Sequence, residues 1–250
     1  MLSKNVIKYI HSLELKKNRD KEGAFVAEGP KVVSDLMRTF KLRLLISTDS
    51  WSKENLYLHD AVHYRVTEEE LKKASFLQHP QKVIAVYEIP KPKIDLDVCN
   101  HQLCLALDNV QDPGNLGTII RIADWFGIST IFCNSGTADA YNPKVVQATM
   151  GGIARVNVIY SDLNKLLSSL PKSIPIYGTS LNGNNIYKEN LSSSGIIIMG
   201  NEGNGISSDI MSMVNQPLFI PCYNHNRGID SLNVAVATAV ACAEFRRRYP

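Results

Sequence analysis

Apolar and polar positions along the chain change character near residue 95. Before it, Ser3 precedes Val6, Ile7, Ile10 and Leu13, whose spacing predicts a capped amphipathic helix. Then come a short strand at AFVAEG (24–29), a helix from about Lys31 to Phe40, and strands at LRLLIST (42–48) and VHYRV (62–66). Thr67 with Glu70 three residues on predicts a capping box that opens a helix, and a strand follows at KVIAVYEI (82–89). This is a small α/β unit. It ends at IPKPKIDLD, where Pro90 and Pro92 among alternating charges read as a linker.

Beyond the linker the runs LCLALDNV, STIFCN, RVNVIY, IPIYGTS, GIIIMG and PLFIPC are apolar on both faces, as buried parallel strands must be. Helical patterns lie near 115–126, 143–150, 161–169, 207–214 and 231–248. Such alternation predicts a mostly parallel sheet covered by helices on both faces, an α/β fold. The expected organisation is 1–90 as one domain, 91–100 as linker and 101–250 as a second domain.

Composition sharpens this picture in three places. A hydrophobic content of 44% over 250 residues is enough for packed cores, and a charged content of 20% lies below the disordered regime. The net charge of +3 is modest, but residues 1–46 hold ten Lys and Arg against five acids. That local excess suits either a polyanion footprint or a solvated helix face. Within it Lys16, Lys17 and Arg19 are the expected polyanion contacts. The five cysteines form no CxxC pair, and Cys104, Cys133 and Cys242 sit in apolar runs. With no signal-type apolar segment at the start and no membrane-length run, the expectation is a reduced, cytoplasmic protein.

Three blocks in the second half carry the chemistry: Leu107–Gly127, Ile196–Ser207 and Phe219–Arg248. Each is an apolar strand that opens into a polar, glycine-bearing turn, which is where open α/β sheets bind ligands. In the first, Arg121 is the only charge in GTIIRIA, so it either clamps a phosphate or forms a structural salt bridge to Asp124 or Asp108. In the second, Gly200 and Gly203 bracket Asn201 and Glu202, either as an ordinary turn or as a close approach for a ligand. In the third, Asp230 or Ser231 is the expected cap of the last helix. Ser231 and Asn233 then lie at its N-terminus, where they favour an anion or do no more than cap.

Taken together and in this order, the blocks resemble the three motifs of the SpoU (TrmH-type) RNA 2′-O-ribose methyltransferases of the SPOUT superfamily. The resemblance spans roughly residues 100–248. It implies catalytic roles for Asn115, Arg121, Glu202, Ser231 and Asn233. It also implies S-adenosylmethionine contacts at Gly200, Ile220 and Leu232, joined by Thr179 and Ser180. Residues 1–90, with LSKNVIKYIHSL and FVAEGPKVV, look like the ribosomal-protein-like substrate-binding domain of many members that act on ribosomal RNA. A trefoil knot and a homodimer follow from the resemblance alone. Two departures stand out. The loop Cys222–Asp230, which includes Arg227, is longer than usual, and Thr149 replaces a more common Ser.

The implied reaction is methyl transfer to a ribose 2′-hydroxyl in RNA, most simply ribosomal RNA, with no metal required. A guanidinium with a pKa above about 12 is a poor base. Arg121 is therefore expected to hold the RNA phosphate and stabilise the developing alkoxide. The alternatives are an inactive RNA-binding protein of the same fold acting in ribosome assembly, and a methyltransferase of transfer RNA. A nicotinamide-dependent oxidoreductase has little support, because no GxGxxG opens a helix.

Overall fold

The computed structural model describes residues 2–54, 61–224 and 231–249. Two compact units emerge: Met1–Lys91 with Asp139–Ala154, and Pro92–Ala138 with Arg155–Pro250. The short segment 139–154 of the later sequence thus belongs with the N-terminal residues.

In the first unit α1 (Lys4–Ser12), α2 (Lys16–Glu22), β1 (Ala24–Glu28), α3 (Pro30–Leu36), β2 (Leu42–Ser47), α4 (Asp49–Glu54), β3 (Val62–Arg65), α5 (Glu68–Ala74) and β4 (Val83–Glu88) follow in order. The strands make a sheet of order β1-β4-β2-β3, antiparallel except for the β2–β3 pair. Ile10 and Leu13 of the first helical pattern are fully buried against Val26, Ile46, Leu71 and Val86. Ser3 caps α1, and the Thr67–Glu70 capping box forms at α5 as its spacing predicts. Helix α2 was not expected, because KKNRDKE has no apolar stripe; its register is set by one buried residue, Arg19. The segment 139–154 contributes α8 (Pro143–Ala148) and Tyr141, whose ring lies 4.8 Å from that of Phe25.

The second unit contains α6 (Val98–His101), β5 (Leu103–Leu107), α7 (Pro113–Trp125), β6 (Thr130–Cys133), β7 (Asn157–Tyr160), α9 (Leu163–Ser168), β8 (Ile176–Asn185), β9 (Gly195–Met199), α10 (Ser208–Met211), β10 (Gln216–Phe219) and α11 (Val234–Arg248). Its six strands run in the order β10-β8-β9-β5-β6-β7, and every pairing is parallel. This is the predicted sheet. β5 and β9 lie side by side at its centre and are buried along their whole length, which their unbroken apolar runs require. The connection order is what matters for function: it brings the loops after β5, β9 and β10 to one edge, beside the middle of β8.

Helix α11 packs against α7. Arg246 at its end donates to the carbonyls of Phe126 (2.7 Å) and Gly127 (3.1 Å), and Arg248 donates to those of Ile186 (3.1 Å) and Glu189. The terminal arginines therefore tie the last helix to two loops in addition to complementing its dipole. Among the described residues no helix is long and apolar enough to cross a membrane.

Candidate cofactor and catalytic site

All three motif loops leave the carboxyl ends of their strands, and two of them are built by asparagines. After β5 the chain turns into α7, with Asp112 as the cap: its Oδ1 accepts from the backbone N–H of Asn115 at 2.7 Å. After β9, Asn201 closes a tight loop by exchanging backbone hydrogen bonds with Gly205, both 2.9 Å. Its Oδ1 also accepts from the N–H groups of Gly203 (2.9 Å) and Asn204 (3.0 Å). A Cβ on Gly200 would fall 2.2 Å from the Gly205 carbonyl carbon, so this loop folds back only with glycine there. Before α11, the cap is Asn233 and not Asp230 or Ser231. Its Oδ1 accepts from the N–H groups of Ala235 (2.9 Å) and Val236 (3.3 Å), and the helix starts at Val234. Asp230 itself, with Arg227, lies outside the described residues.

These asparagines are linked to one another. Asn233 Nδ2 donates to Asn115 Oδ1 at 2.9 Å, and Asn115 Nδ2 donates to Glu202 Oε1 at 2.9 Å. Three residues from three motifs, 87 and 118 positions apart, form one hydrogen-bonded chain. Asn233 thus caps its helix with one end of the amide and joins the site with the other. The turn of the second block likewise brings Glu202 to Asn115.

Beside this chain lies a cavity of about 480 Å³ lined by Thr179, Ser180, Gly200, Ile220 and Leu232, all five positions expected to hold the cofactor. Glu202 and Ser231 share its wall, and Met199, Leu218 and Ala237 supply apolar surface. That volume is in the range of a small-molecule site. Apolar surface for a flat ring system, with backbone and hydroxyl groups around it, fits S-adenosylmethionine. Thr179 is fixed by donating to the Ile198 carbonyl at 3.2 Å.

Arg121 stands apart. It is exposed on α7, about 9 Å farther along the helix axis than Asn115. The salt bridges that offered an alternative role do not form. Asp124 is held by Arg155 through two hydrogen bonds of 2.8 Å. Asp108 accepts from Asn109, Asn134 and the Ser207 N–H. Arg121 has no partner among the described residues.

Residues 102–243 match the SpoU rRNA Methylase family, and residues 4–85 match the MRM3-like substrate binding domain. The chain belongs to the SpoU rRNA methylase family. The 23S rRNA (guanosine(2553)-2′-O)-methyltransferase RlmP of Bacillus subtilis is 30% identical over 94% of this chain and 93% of its own. Among solved structures, a TrmH-family protein of Porphyromonas gingivalis superposes with a TM-score of 0.90 at 38% identity, covering 99% of both chains. An S-adenosylmethionine-bound rRNA methyltransferase of Sinorhizobium meliloti does so with 0.85 at 28%, covering all of this chain and 97% of its own. The five positions expected to hold the cofactor lie on β8 and on the segments that follow β9 and β10, and Glu202 of the amide chain shares their cavity.

The first unit corrects one expectation. Arg19 is 1% exposed and not available to RNA. Its guanidinium meets Asp139 Oδ2 through Nε (3.0 Å) and Nη2 (2.6 Å), while Nη1 donates to the carbonyls of Leu13 and Glu14. Lys16 is exposed but paired with Asp20 at 2.8 Å, and Lys17 is exposed. Lys31 pairs with Asp35, and Lys41 and Arg43 pair with Glu88, so among the described residues five of the ten basic groups that made the local excess are answered by acids. Sequence reading passed over another surface with basic residues in this unit, a cavity of about 510 Å³ lined by Lys72, Gln78, His79 and Lys82 together with Glu68. The signal was present as KK before the QHPQK turn, but only the fold brings the two together.

Proposed function

We infer that the protein is an S-adenosylmethionine-dependent RNA 2′-O-ribose methyltransferase whose substrate is ribosomal RNA. The observation that carries this is the meeting of five expected cofactor positions in one cavity whose wall includes Glu202, the end of the Asn233–Asn115–Glu202 chain. Thr179, Ser180, Gly200, Ile220 and Leu232 hold the cofactor, which supplies an electrophilic sulfonium methyl group. The chain's own residues have the task of placing a weakly acidic hydroxyl. Asn115 and Asn233 are fixed at both ends of their amides, so the ribose meets donors and acceptors that need no rearrangement. Arg121, exposed and without a competing acid among the described residues, takes the RNA phosphate and steadies the negative charge that develops on the ribose oxygen. Ser231 lines the cavity and orients the ribose.

The substrate-binding unit, with Lys17 and Lys16 but without Arg19, supplies RNA affinity, and the protein works in the cytoplasm. The knotted path of the family belongs to the same reading. So does a homodimer, supported by α7 and α11, which pack together yet leave Trp125 84% and Val236 50% exposed.

The test is titration of the purified full chain with S-adenosylmethionine, followed by methyl incorporation into ribosomal and transfer RNA. Saturable binding with incorporation into ribosomal RNA is expected. Binding of RNA without cofactor binding would favour the inactive assembly protein, and incorporation into transfer RNA alone would move the substrate.

A further inference from the structure

The carboxyl edge of the sheet holds a second cavity that the cofactor reading does not use. It has a volume of about 590 Å³ and lies at the ends of β5, β6 and β7, lined among others by Asn109, Asn134, Ser161, Asp162 and Asn164. We propose that it is a base subsite, taking an unpaired nucleobase with an exocyclic amino group from the RNA next to the methylated nucleotide. The proposal rests on the RNA methyltransferase reading for the source of that base.

The chemistry of the lining selects the ligand class. The wall carries Asp108 and Asp162 and neither Lys nor Arg, so a phosphate is repelled. Asp108, 1% exposed, is spent on structure: Oδ1 accepts from Asn109 Nδ2 (2.8 Å) and Asn134 Nδ2 (2.7 Å), and Oδ2 from the Ser207 N–H (2.7 Å). Asn134 Oδ1 in turn accepts from the Asn109 N–H and from Thr137, both at 3.0 Å. These groups are a rigid frame. Asp162 caps α9 through Oδ1, its carboxylate also accepts from the Asn164 N–H, and its Oδ2 meets the exposed Lys165 ammonium at 3.5 Å. What remains open is acceptor capacity on that carboxylate, together with Asn164 and the hydroxyl of Ser161. The Ser161 oxygen is buried and has no hydrogen-bond partner among the described residues, and orphan buried hydroxyls are rare in native proteins. The exocyclic amino group of a base is the complementary donor. Leu163 and Ile210 give the ring apolar contact, as in pockets that hold extruded bases.

The two cavities are mechanically joined. Asn109 has a left-handed backbone, φ 59°, and its carbonyl accepts from Asn201 Nδ2 at 2.8 Å in the loop that carries Glu202. A Cβ on Gly136 would sit 1.8 Å from Asn109 Oδ1, so the glycine keeps that amide in place. One hydrogen bond thus joins the wall of the second cavity to the loop that carries Glu202, and Glu202 in turn holds Asn115.

The experiment uses the ¹⁵N-labelled full chain with the first cavity saturated by S-adenosylhomocysteine. Adenosine, guanosine, cytidine and uridine are titrated separately to millimolar concentration. At least one amino-bearing nucleoside should shift the resonances of Asn134, Ser161 and Asn164, and uridine should bind at least fivefold more weakly. Ser161→Val should weaken that binding at least fivefold and leave S-adenosylhomocysteine affinity unchanged. If Ser161→Val proves misfolded, Asn164→Ala carries the same comparison. No shifts, equal binding of uridine, or binding untouched in a folded variant would each overturn the subsite. Failure of S-adenosylhomocysteine to bind at all would strike the cofactor reading, while the nucleoside shifts would still judge the second cavity.

Discussion

Polar side chains in the two units are used in opposite ways. In the first unit Arg19 and Glu28 are 1% and 5% exposed. Arg19 holds α2 to the 139–154 segment through Asp139, and Glu28 accepts from the Phe76 N–H and the Ser75 hydroxyl to fix the loop after α5. Burial pushes the Glu28 carboxyl above its ordinary range, outweighing the two hydrogen bonds that favour its charged form. In the second unit Asn115, Glu202 and Asn233 are bonded mainly to one another at the rim of a cavity, and Arg121 is exposed. The same residue types thus serve structure where a layer covers them and remain available where a strand edge opens. Charge counted along the sequence does not distinguish the two cases; burial does.

The sharpest way to break this comparison is Arg19→Ala. Removing one partner of a buried ion pair leaves the other charge stranded, at a cost of about 3–5 kcal/mol. Asp139 keeps 14% side-chain exposure, which places the expected destabilisation near about 3 kcal/mol. Urea unfolding reads it. A variant of unchanged stability with weakened RNA binding would return Arg19 to the RNA face.

Asn115→Ala should act in the reverse sense. Methylation of ribosomal RNA is expected to fall by about 10²-fold or more, the scale of removing a preorganised polar group, while cofactor affinity stays within a fewfold. Equal reductions of folding stability and activity would make Asn115 a structural residue like Arg19. Arg121→Ala sharpens the contrast further. An exposed residue without a partner should change stability by no more than about 0.5 kcal/mol, yet activity should vanish. Arg121→Lys should also be weak, because a point charge does not replace a planar fork. Thermal melts beside single-turnover methylation separate these outcomes.

Smaller effects test which basic surface of the first unit meets RNA. Charge reversal at Lys72 and Lys82 is compared with reversal at Lys16 and Lys17. Whichever pair binds phosphate should flatten the salt dependence of binding by roughly 0.7–0.9 log unit for each phosphate it no longer neutralises. If neither pair changes the slope, this unit's affinity is not electrostatic. The smallest effect concerns His63, whose Nε2 lies 2.8 Å from the buried Ser47 hydroxyl. Burial, aided by Arg65, holds its pKa below 6.5. The unfolded chain then takes up the proton first, so stability is full above pH 6.5 and declines as pH falls through the lowered value. His63→Gln should remove that slope in denaturant titrations between about pH 7 and 5.

Much of the architecture was legible in the amino-acid pattern. Runs apolar on both faces marked the six strands of the parallel sheet without telling centre from edge, and Ser3 and the Thr67–Glu70 box marked their helix starts, because these signals act within a few residues. Helix α2 escaped because a long-range ion pair, not a stripe, holds it. The start of α11 was displaced by three residues because Asn233, with two roles, outcompetes Ser231 as cap.

The sequence by itself determined the parallel sheet, the three polar turns and the residues that populate them, since strand periodicity and turn chemistry are local properties. Only the tertiary structure decided which polar groups meet. The strand order placed β9 beside β5, and that neighbourhood joined Asn115 to Glu202 across 87 positions. It also decided that Arg19 is buried and Arg121 is not, because burial is set by what packs over a residue from elsewhere in the chain, and no local pattern carries that information.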